Sequence, residues 1–540
     1  MAADRILFAA PASGSGKTLI TCGFLRALQM QGKKAVSFKC GPDYIDPMFH
    51  SRILGTGCRN LDTFFASDET VRYLLSAHLA GSDFAVLEGV MGYYDGIAGT
   101  TDRASAYDVA RATDTPVILI VNAKGTSISL VPMIRGFLEY RQENAANSRI
   151  CGILFNRMSP MLYPRMKELA ERELPVPVLG YVPERKECAF ESRHLGLVLP
   201  EEIEDLQKKI NCLAECLLKT LDWEQIYKIA GNAPDWEQPK EQRKLECLGP
   251  TGQSGSSRSP GPTGRQSQRE RSECVRRLNP MESLGCVDES DSQKSTVGTS
   301  RRNYQTWPEC QGGVRIGVAS DEAFCFFYED NFKLLEELGA ELVWFSPIHD
   351  PVLPENLDGL LLFGGYPELH AKELSENTSM RSSVKKQIAR GLPCMAECGG
   401  FLYLHEQMED MEGKSWPMTG VIGGSARKTD RLGRFGYITL RGGTVFGEDV
   451  GEIPSHEFHY FDSDCCGDAF LAEKPESARS WRCIHSTLTL FAGFPHLYYY
   501  ANPKVAQAFV RACRNFRRMK TENKNFPGSS TERQILSGVF

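Results

Sequence analysis

The 540-residue chain lacks the patterns typical of membrane proteins and of small proteins held together by metals or disulfides. It has eighteen cysteines but no CxxC pair, which excludes a zinc ribbon and a thioredoxin-type motif. Its longest apolar runs, such as residues 116–123, have the length of a strand and fall far short of the roughly 20 residues that span a bilayer. The first ten residues contain no apolar core followed by a cleavage site. We therefore expect no signal peptide, a cytoplasmic location and reduced thiols.

The chain also lacks a large excess of charge of either sign. Its formal net charge is -6 and its pI is about 6.0. A protein that binds nucleic acid through its phosphates usually carries a strongly basic face and a basic pI. We therefore expect neither nucleic acid nor a membrane among its partners.

One long segment, residues 249–303, contains no Phe, Tyr, Trp or Ile. Gly, Ser, Pro, Arg and Gln dominate it, and such a composition cannot bury enough apolar surface to offset the entropy lost on ordering. The sequence thus predicts two folded domains, residues 1–245 and 313–515, joined by a disordered low-complexity linker at 246–312. A polar C-terminal tail is predicted at 516–540.

Short apolar runs alternate with helical patterns in both predicted domains, which favours an α/β fold with parallel sheets covered on both faces. A helix is predicted at 19–30, where Ile20, Phe24 and Leu28 recur every four residues, and others at 332–338 and 401–408. Strands are predicted at 5–10, 35–40, 84–90, 116–123, 151–156 and 177–182, and again at 314–319, 340–345, 359–363 and 393–396.

A glycine-rich segment, PASGSGKT at residues 11–18, follows the first predicted strand and opens the first helix. This is the context of a Walker A loop, whose backbone N–H groups bind phosphate at the positive end of a helix. Lys17 would hold the outer phosphates, and Thr18 would bind Mg²⁺. Pro11 stands where such loops usually have their first glycine, and a glycine-rich helix cap is the alternative. The predicted nucleotide ligands are Ser13, Gly14, Ser15, Gly16, Lys17 and Thr18.

Acidic side chains follow the next two predicted strands of this domain. Asp43 and Asp46 come after the second strand, and Glu88 lies at the end of the third. Ligands of open α/β sheets bind beyond the carboxyl ends of the strands, and Mg²⁺ prefers carboxylate oxygens. These three residues are candidate Mg²⁺ ligands, although Asp43 and Asp46 could equally be turn residues beside Pro and Gly.

Cys398 lies between a predicted strand and a helical stretch, in the sequence AECGG. The adjacent glycine permits the sharp turn of a nucleophile elbow, which exposes the central side chain. A thiol needs a partner to become a thiolate at neutral pH, and the histidines at 456, 459, 485 and 496 lie downstream. Backbone N–H groups of Gly365 and Gly399 could form an oxyanion hole. The alternative is a buried structural cysteine.

Taken together, the motifs resemble those of the cobyrinate a,c-diamide synthase family, which uses glutamine as nitrogen donor. The likeness covers residues 4–245 and 313–515. It is carried by FKCGPDYIDPMFH (38–50), LEGVMGYYDG (87–96), SRHLG (192–196), DEAFCFFY (321–328), GGYPEL (364–369), AECGG (396–400) and HEFHY (456–460).

The resemblance implies a P-loop ATPase domain similar to dethiobiotin synthetase, followed by a class I glutamine amidotransferase domain of flavodoxin-like α/β fold. The substrates implied are cobyrinate, ATP and L-glutamine, with Mg²⁺ as cofactor. Two acetate carboxylates, c and a, would be phosphorylated by ATP and then amidated by ammonia from glutamine. A homodimer is compatible with the sequence.

The resemblance also assigns roles to individual residues. The family's nucleophile falls on Cys398 and its catalytic histidine on His496, with His459 as the other histidine that the local alignment admits. Tyr498 stands where many class I amidotransferases carry a glutamate, which implies a Cys–His dyad. Asn156 would contact the nucleotide base, and Lys39, Tyr44 and Asp46 would bind the acceptor substrate.

Two other functions remain open from the sequence. A nickel-sirohydrochlorin a,c-diamide synthase of cofactor F430 biosynthesis would use the same chemistry on a related ring. A partition- or switch-type ATPase would account for the first domain but would leave the segments around Cys398 and Gly365 without a role.

Overall fold

The apolar runs of the N-terminal domain form a parallel sheet of seven strands in the order β3-β2-β4-β1-β5-β6-β7. The computed structural model describes residues 3–55, 57–140, 148–188, 192–193, 196–197, 200, 203, 205–234, 313–430 and 432–524. The strands are β1 (Asp4–Ala9), β2 (Ala35–Cys40), β3 (Arg59–Leu61), β4 (Phe84–Glu88), β5 (Val117–Asn122), β6 (Ile150–Asn156), β7 (Val178–Val182) and the short pair β8 (Ser192–Arg193) and β9 (Gly196–Leu197).

Helices cover both faces of this sheet, because its central strands are apolar on both sides. Strand β4, for example, is buried at every position. Ile20, Phe24 and Leu28 of the first helix pack on one face, and Leu74 of the third helix packs on the other. The helices are α1 (Lys17–Met30), α2 (Ile45–Leu54), α3 (Asp68–Leu79), α4 (Ala106–Ala112), α5 (Leu130–Glu139), α6 (Tyr163–Glu173), α7 (Leu206–Thr220) and α8 (Trp223–Gly231).

The C-terminal domain contains a second sheet with the order β11-β10-β12-β13-β23-β22, parallel except for its last strand. The first five of these strands have the flavodoxin-like arrangement, in which the first strand lies between the second and the third. They are β10 (Val314–Ala319), β11 (Ala340–Phe345), β12 (Gly359–Leu362), β13 (Cys394–Glu397), β22 (His485–Ser486) and β23 (Leu490–Gly493). Helices α9 (Glu329–Glu337), α10 (Ala371–Glu376), α11 (Thr378–Ala389), α12 (Gly399–Leu404) and α13 (Lys504–Lys524) accompany them.

Two further, mainly antiparallel sheets, which were not predicted from the sequence, are formed by strands that follow β13 in the chain. One has the order β15-β14-β16-β19, and the other has the order β21-β20-β17-β18-β24. Their strands are β14 (Gln407–Glu409), β15 (Ser415–Pro417), β16 (Ser425–Lys428), β17 (Arg434–Arg441), β18 (Ile453–His459), β19 (Phe461–Ser463), β20 (Phe470–Glu473), β21 (Ser480–Cys483) and β24 (His496–Leu497).

The predicted α/β class with parallel sheets is confirmed, and every predicted strand occurs within a few residues of its expected bounds. The helix predicted at 401–408 is wrong in its second half, where α12 ends at Leu404 and β14 begins at Gln407. His405 closes this helix by hydrogen-bonding through Nδ1 to the carbonyl of Phe401, and Met408 is then buried in a strand. Helix α13 crosses the predicted boundary at 515, whereas the linker at 246–312 and residues 525–540 lie outside the described residues.

The two sheets belong to one compact unit, and aromatic side chains join the domains. Tyr44 stacks on Phe326 at a centroid distance of 5.3 Å, and Phe65 stacks on Tyr498 at 5.6 Å. The Tyr437 hydroxyl donates to Asp62 Oδ2 at 2.7 Å. Within the described part of the chain, no helix is both long and apolar enough to cross a membrane.

Candidate active sites

The phosphate loop connects β1 to α1 and is shaped by two glycines in the left-handed region. Gly14 has a φ of 74° and Gly16 a φ of 93°, values that side chains disfavour. A Cβ on Gly16 would collide with the amide of Asn156, whose Nδ2 donates to the Ser15 carbonyl at 2.8 Å. Ser13 and Gly14 are exposed at the tip of the turn. Asn156 thus lies under the loop and braces it from β6.

Lys17 and Thr18 begin helix α1 and point toward the end of β4. Lys17 Nζ donates to the carbonyl of Met91 at 2.5 Å, and Thr18 Oγ1 donates to Glu88 Oε1 at 2.7 Å. Burial, together with the nearby Lys39, lowers the pKa of Lys17 to about 8. An anionic ligand beside the Lys17 ammonium would raise this pKa again, because an opposite charge favours the protonated form.

Lys39 lies among the carboxylates that the sequence analysis selected. Its Nζ is 3.0 Å from Glu88 Oε1 and 4.0 Å from Asp43 Oδ2, and it also donates to Asp46 Oδ2. Burial alone would lower the pKa of Lys39, but Asp46 and Glu88 outweigh it and hold that pKa well above the usual value. Burial alone would raise the pKa of Glu88, yet Lys39 and His50 hold it well below its usual value. The buried charges therefore compensate one another.

His50 and Cys58 complete this cluster and were not assigned roles from the sequence. His50 Nε2 lies 2.7 Å from Glu88 Oε2, and its Nδ1 lies 3.4 Å from Cys58 Sγ. All three side chains are buried. His50 does occur in the motif that carries the family resemblance, but nothing in a linear sequence shows that it would contact Glu88, which lies 38 residues away.

The oxygen donors at this edge fit a magnesium ion only in part. Thr18 Oγ1 and Glu88 Oε1 are adjacent oxygens of the kind that Mg²⁺ prefers. Asp43 differs, because its Oδ1 accepts the N–H groups of Ile45 and Asp46 at the start of α2. The described residues contain no cluster of three or more His, Cys, Asp or Glu suited to a metal. Such an ion would therefore need phosphate and water oxygens beside Thr18 and Glu88.

Cys398 lies at the sharp turn between β13 and α12. Its φ of 45° and ψ of -103° are strained for a residue other than glycine, and the Cys398 N–H donates to the Gly493 carbonyl at 2.8 Å. A non-glycine residue in such a conformation is typical of a nucleophile elbow or another functional turn. The side chain is only 7% exposed but lines a large cavity.

Two glycines allow the backbone to approach Cys398 closely. A Cβ on Gly399 would lie 3.1 Å from the backbone nitrogen of Gly365. A Cβ on Gly365 would collide with the carbonyl of Ala323. Gly365 and Gly399, whose backbone nitrogens are predicted to form an oxyanion hole, thus lie in segments that can approach each other only because both residues are glycine.

His496 and Cys398 both border Gly364. A Cβ on Gly364 would lie 2.5 Å from His496 Cε1 and 3.5 Å from Cys398 Cβ. His459 instead stacks on Phe494 at 3.9 Å, and its Nδ1 lies 2.6 Å from the Phe461 carbonyl. The geometry therefore favours His496 over His459 as the partner of the thiol.

Glu397, which precedes the nucleophile, is the nearest carboxylate to His496. Its Oε2 lies 3.9 Å from His496 Nδ1 and accepts the N–H of Leu497 at 3.2 Å. Glu397 Oε1 and His496 Nδ1 are both buried without a hydrogen-bond partner among the described residues. No carboxylate partner of His496 was predicted from the sequence, because Tyr498 stands where many class I amidotransferases carry a glutamate.

Burial favours the uncharged forms of several groups in this second site. It raises the pKa of Cys398, raises the pKa of Glu397 to about 8 and that of Glu368 to about 7, and lowers the pKa of His496 well below its usual value. His456, which stacks on His496 at 4.9 Å, has its pKa lowered to about 3 by burial. A neutral thiol therefore faces a neutral imidazole in this state.

One cavity of about 770 Å³ is lined by residues of both domains, including Cys398 and the segment that follows β4. The N-terminal domain lines it with Asp43, Asp46 and Met91, and the C-terminal domain lines it with Cys398 and His496. Tyr44 belongs to the same wall, and its ring lies 5.2 Å from the ring of His496 and 4.6 Å from that of Tyr328. Tyr44, predicted to bind the acceptor, thus contacts the catalytic histidine candidate of the other domain.

Comparison with known proteins gives matches to both domains. Residues 6–198 match the family described as CobQ/CobB/MinD/ParA nucleotide binding domain, and residues 315–477 match the CobB/CobQ-like glutamine amidotransferase domain. Cobyrinate a,c-diamide synthase of Listeria innocua is 33% identical over 510 residues, which cover 93% of this chain and 98% of that protein. The proteins of the same name from Clostridium tetani and Caldanaerobacter subterraneus are 32% and 30% identical, over 94% of this chain and 99% and 97% of theirs.

Proposed function

The chain belongs to the cobyrinate a,c-diamide synthase family, and we propose on that basis that it is a ligase that converts the a- and c-acetate carboxylates of cobyrinate into amides. ATP supplies the activating phosphoryl group, and glutamine supplies the nitrogen. The observation that carries the proposal is the single cavity lined by Met91, whose carbonyl binds Lys17, and by Cys398. Residues beside both proposed reaction centres therefore border the same cavity, which offers ammonia a route from one domain toward the other.

The first half-reaction takes place at the phosphate loop. The acceptor carboxylate attacks the γ-phosphorus of ATP, the bond to the β,γ-bridging oxygen breaks, and an acyl phosphate and ADP result. Lys17 and Lys39 lie where they can neutralise the charge that builds up on the transferred group. Ammonia then attacks the acyl carbon, and phosphate leaves in place of the oxide that a free carboxylate could not release.

Thr18 and Glu88 are the residues that would hold Mg²⁺, together with phosphate oxygens of the nucleotide. The ion would supply charge neutralisation between the phosphates. His50 fixes the far oxygen of Glu88, so that Oε1 stays directed toward Thr18.

The second half-reaction takes place at Cys398. His496 accepts the thiol proton, the thiolate attacks the side-chain amide of glutamine, and Gly365 and Gly399 stabilise the oxyanion with their N–H groups. Ammonia leaves with a proton from His496, and water hydrolyses the thioester to glutamate. Glu397, whose Oε2 lies 3.9 Å from His496 Nδ1, would stabilise the imidazolium once it is ionised, which is the role of the carboxylate in a catalytic triad.

The proposal is tested by measuring product formation with two nitrogen donors. The purified protein with ATP and Mg²⁺ should amidate cobyrinate when supplied with glutamine and also when supplied with ammonium chloride. Phosphate and glutamate should appear in proportion to amide in the glutamine reaction. ATPase activity without glutaminase activity and without any tetrapyrrole product would contradict the proposal and would favour the switch-type ATPase.

The identity of the ring is tested separately. Cobyrinate and nickel-sirohydrochlorin should be offered side by side at equal concentration, and kcat/KM compared. The relatives named above support cobyrinate, so we expect it to be preferred. A higher kcat/KM for nickel-sirohydrochlorin would leave the proposed reaction chemistry unchanged and would identify that ring as the substrate.

A further inference from the structure

The cavity extends well beyond the two reaction centres and ends at two exposed aromatic side chains. Phe435 of β17 is 50% exposed, and Phe458 of β18 is 36% exposed. Their rings are 5.2 Å apart, and both line the cavity. Here these two residues are called the aromatic rim. Exposed rings of this size usually mark a binding surface when they border a cavity.

The aromatic rim lies on the same sheet face as the catalytic histidine candidate. Phe435 pairs with Phe458, and two positions along, Tyr437 pairs with His456. Side chains alternate along a strand, so all four project from one face. His456 in turn stacks on His496. This face therefore forms a continuous wall from His496 to the cavity mouth.

Two cations lie beside the aromatic rim and also line the cavity, Lys474 and Arg479. Lys474 donates to the Phe435 carbonyl, and Arg479 donates to the Gly433 carbonyl at 2.9 Å. Neither makes an ion pair with a carboxylate in the described part of the chain. Their charges are thus available to an anionic ligand.

The combination suits one of the three substrates better than the others. Glutamine is small and polar, and the phosphate loop proposed to bind ATP does not line this cavity. A tetrapyrrole polycarboxylate has a broad apolar ring and anionic side chains around it, which match aromatic contacts and nearby cations. A volume of about 770 Å³ lies within the range of pockets that enclose large organic ligands.

We propose that the amidotransferase domain helps to bind the acceptor: Phe435 and Phe458 contact the face of the tetrapyrrole ring, and Lys474 and Arg479 bind carboxylates that are not being amidated. This inference rests on the proposed function. It adds a second wall to the acceptor site, because Lys39, Tyr44 and Asp46 all belong to the other domain. Apolar contact is non-directional, so the same rim can hold the ring in both orientations that two successive amidations require.

The test measures acceptor binding directly. Cobyrinate is titrated into the full-length protein without ATP or glutamine, and its Kd is obtained by quenching of protein fluorescence. The KM for cobyrinate is measured with ATP and ammonium chloride, and the KM for ATP serves as the reference. Phe435→Ala and Phe458→Ala should each raise Kd and KM for cobyrinate about tenfold, a typical cost of one aromatic contact.

The charged residues are tested in the same way with salt as a further variable. Arg479→Gln should raise the Kd about tenfold at low salt, and the difference from wild type should shrink as salt is added. Leu488→Ala and Arg518→Gln are matched controls, because both positions are exposed on the same domain and neither lines the cavity. Phe435→Leu should restore most of the affinity, since it keeps an apolar side chain.

The outcomes separate this inference from the proposed function. The inference would be overturned if the wild type binds and amidates cobyrinate while the variants keep Kd and KM for cobyrinate within twofold of it. The variants meant are Phe435→Ala, Phe458→Ala and Arg479→Gln. That result would leave the proposed function unchanged. An equal rise in the KM for ATP would mean a general structural defect and would also overturn the inference. Wild type that neither binds nor amidates a tetrapyrrole would overturn both.

Discussion

The two reaction centres both lie beyond the carboxyl ends of parallel strands, yet burial has opposite consequences in them. In the N-terminal site, Lys39 and Glu88 remain charged because each compensates the other, and their pKa values move against the direction that burial alone would give. In the C-terminal site, Cys398, His496 and Glu397 form no hydrogen-bonded ion pair among the described residues, and their pKa values follow burial.

This difference corresponds to the chemistry proposed for each site. In the N-terminal site the paired charges are in place before a nucleotide arrives, so they need not reorganise during the reaction. A thiol that is permanently ionised would react with any electrophile in the cell. Keeping Cys398 neutral until glutamine is bound confines its reactivity to the bound substrate. The predictions below test this comparison, from the largest expected effect to the smallest.

The charged site should be required whatever the nitrogen source. Lys17→Ala and Glu88→Gln should each reduce amide formation by more than about 100-fold with glutamine and with ammonium chloride alike, because both act on phosphoryl transfer. Arg518→Gln on the exposed face of α13 is the control. If either variant kept an ammonia-dependent rate near that of wild type, the nucleotide would have to bind at another site.

The neutral site should be required only for glutamine. Cys398→Ser should reduce glutamine-dependent synthesis by about 1000-fold or more, because removal of a catalytic nucleophile has effects of this size. The ammonium-dependent rate should stay close to that of wild type. Cys465→Ser, which alters a half-buried thiol of the same domain, should change neither rate. Equal loss with both donors would contradict the role assigned to Cys398.

Glu397 should affect the rate of glutamine hydrolysis more than glutamine binding. Glu397→Gln should lower kcat about tenfold with little change in KM, and Glu397→Asp should recover part of the loss. Burial raises the pKa of Glu397 to about 8, so its anionic form increases as pH rises through that value. Wild-type kcat/KM should therefore rise near pH 8, and this rise should be absent in the Gln variant. Identical pH profiles would show that Glu397 is only structural.

The neutrality of Cys398 can be tested by alkylation. An ordinary thiol, with a pKa of about 8.5, approaches its maximum rate with iodoacetamide by about pH 9.5. Because burial raises the pKa of Cys398, its alkylation rate should still be rising at pH 10. Peptide mass spectrometry follows Cys398 and the control Cys465 in the same sample. A plateau in the alkylation rate of Cys398 below pH 8 would show that the thiolate is already present without glutamine.

The smallest effect is expected from the predicted linker. Deletion of residues 252–297 removes a segment with very few apolar residues, and loop-closure entropy changes only slowly with length. Glutaminase activity, ammonium-dependent synthesis and the coupled reaction should each remain within about twofold of wild type. Loss of the coupled reaction alone would show that this segment helps the two domains to work together.

Most of the fold was predictable because its signals are local. Apolar runs and helical periodicity predicted the parallel strands, and the glycines of the phosphate loop and of the turn at Cys398 stand next to the residues they expose. Strands β14 to β21 were missed, because many of their positions are exposed and carry charged or aromatic side chains instead of forming apolar runs. The helix predicted at 401–408 was too long, since residues 407–409 pair with two strands instead.

The sequence by itself determined the two sheets, the phosphate loop and the strained cysteine, because each depends on neighbours within a few residues. Tertiary structure alone decided which distant groups meet. It brought His50 to Glu88, Glu397 to His496, and Tyr44 into the wall of the other domain's site. It also placed residues of both domains around one cavity. These contacts depend on strand register and domain packing, and burial then sets which of the groups are charged.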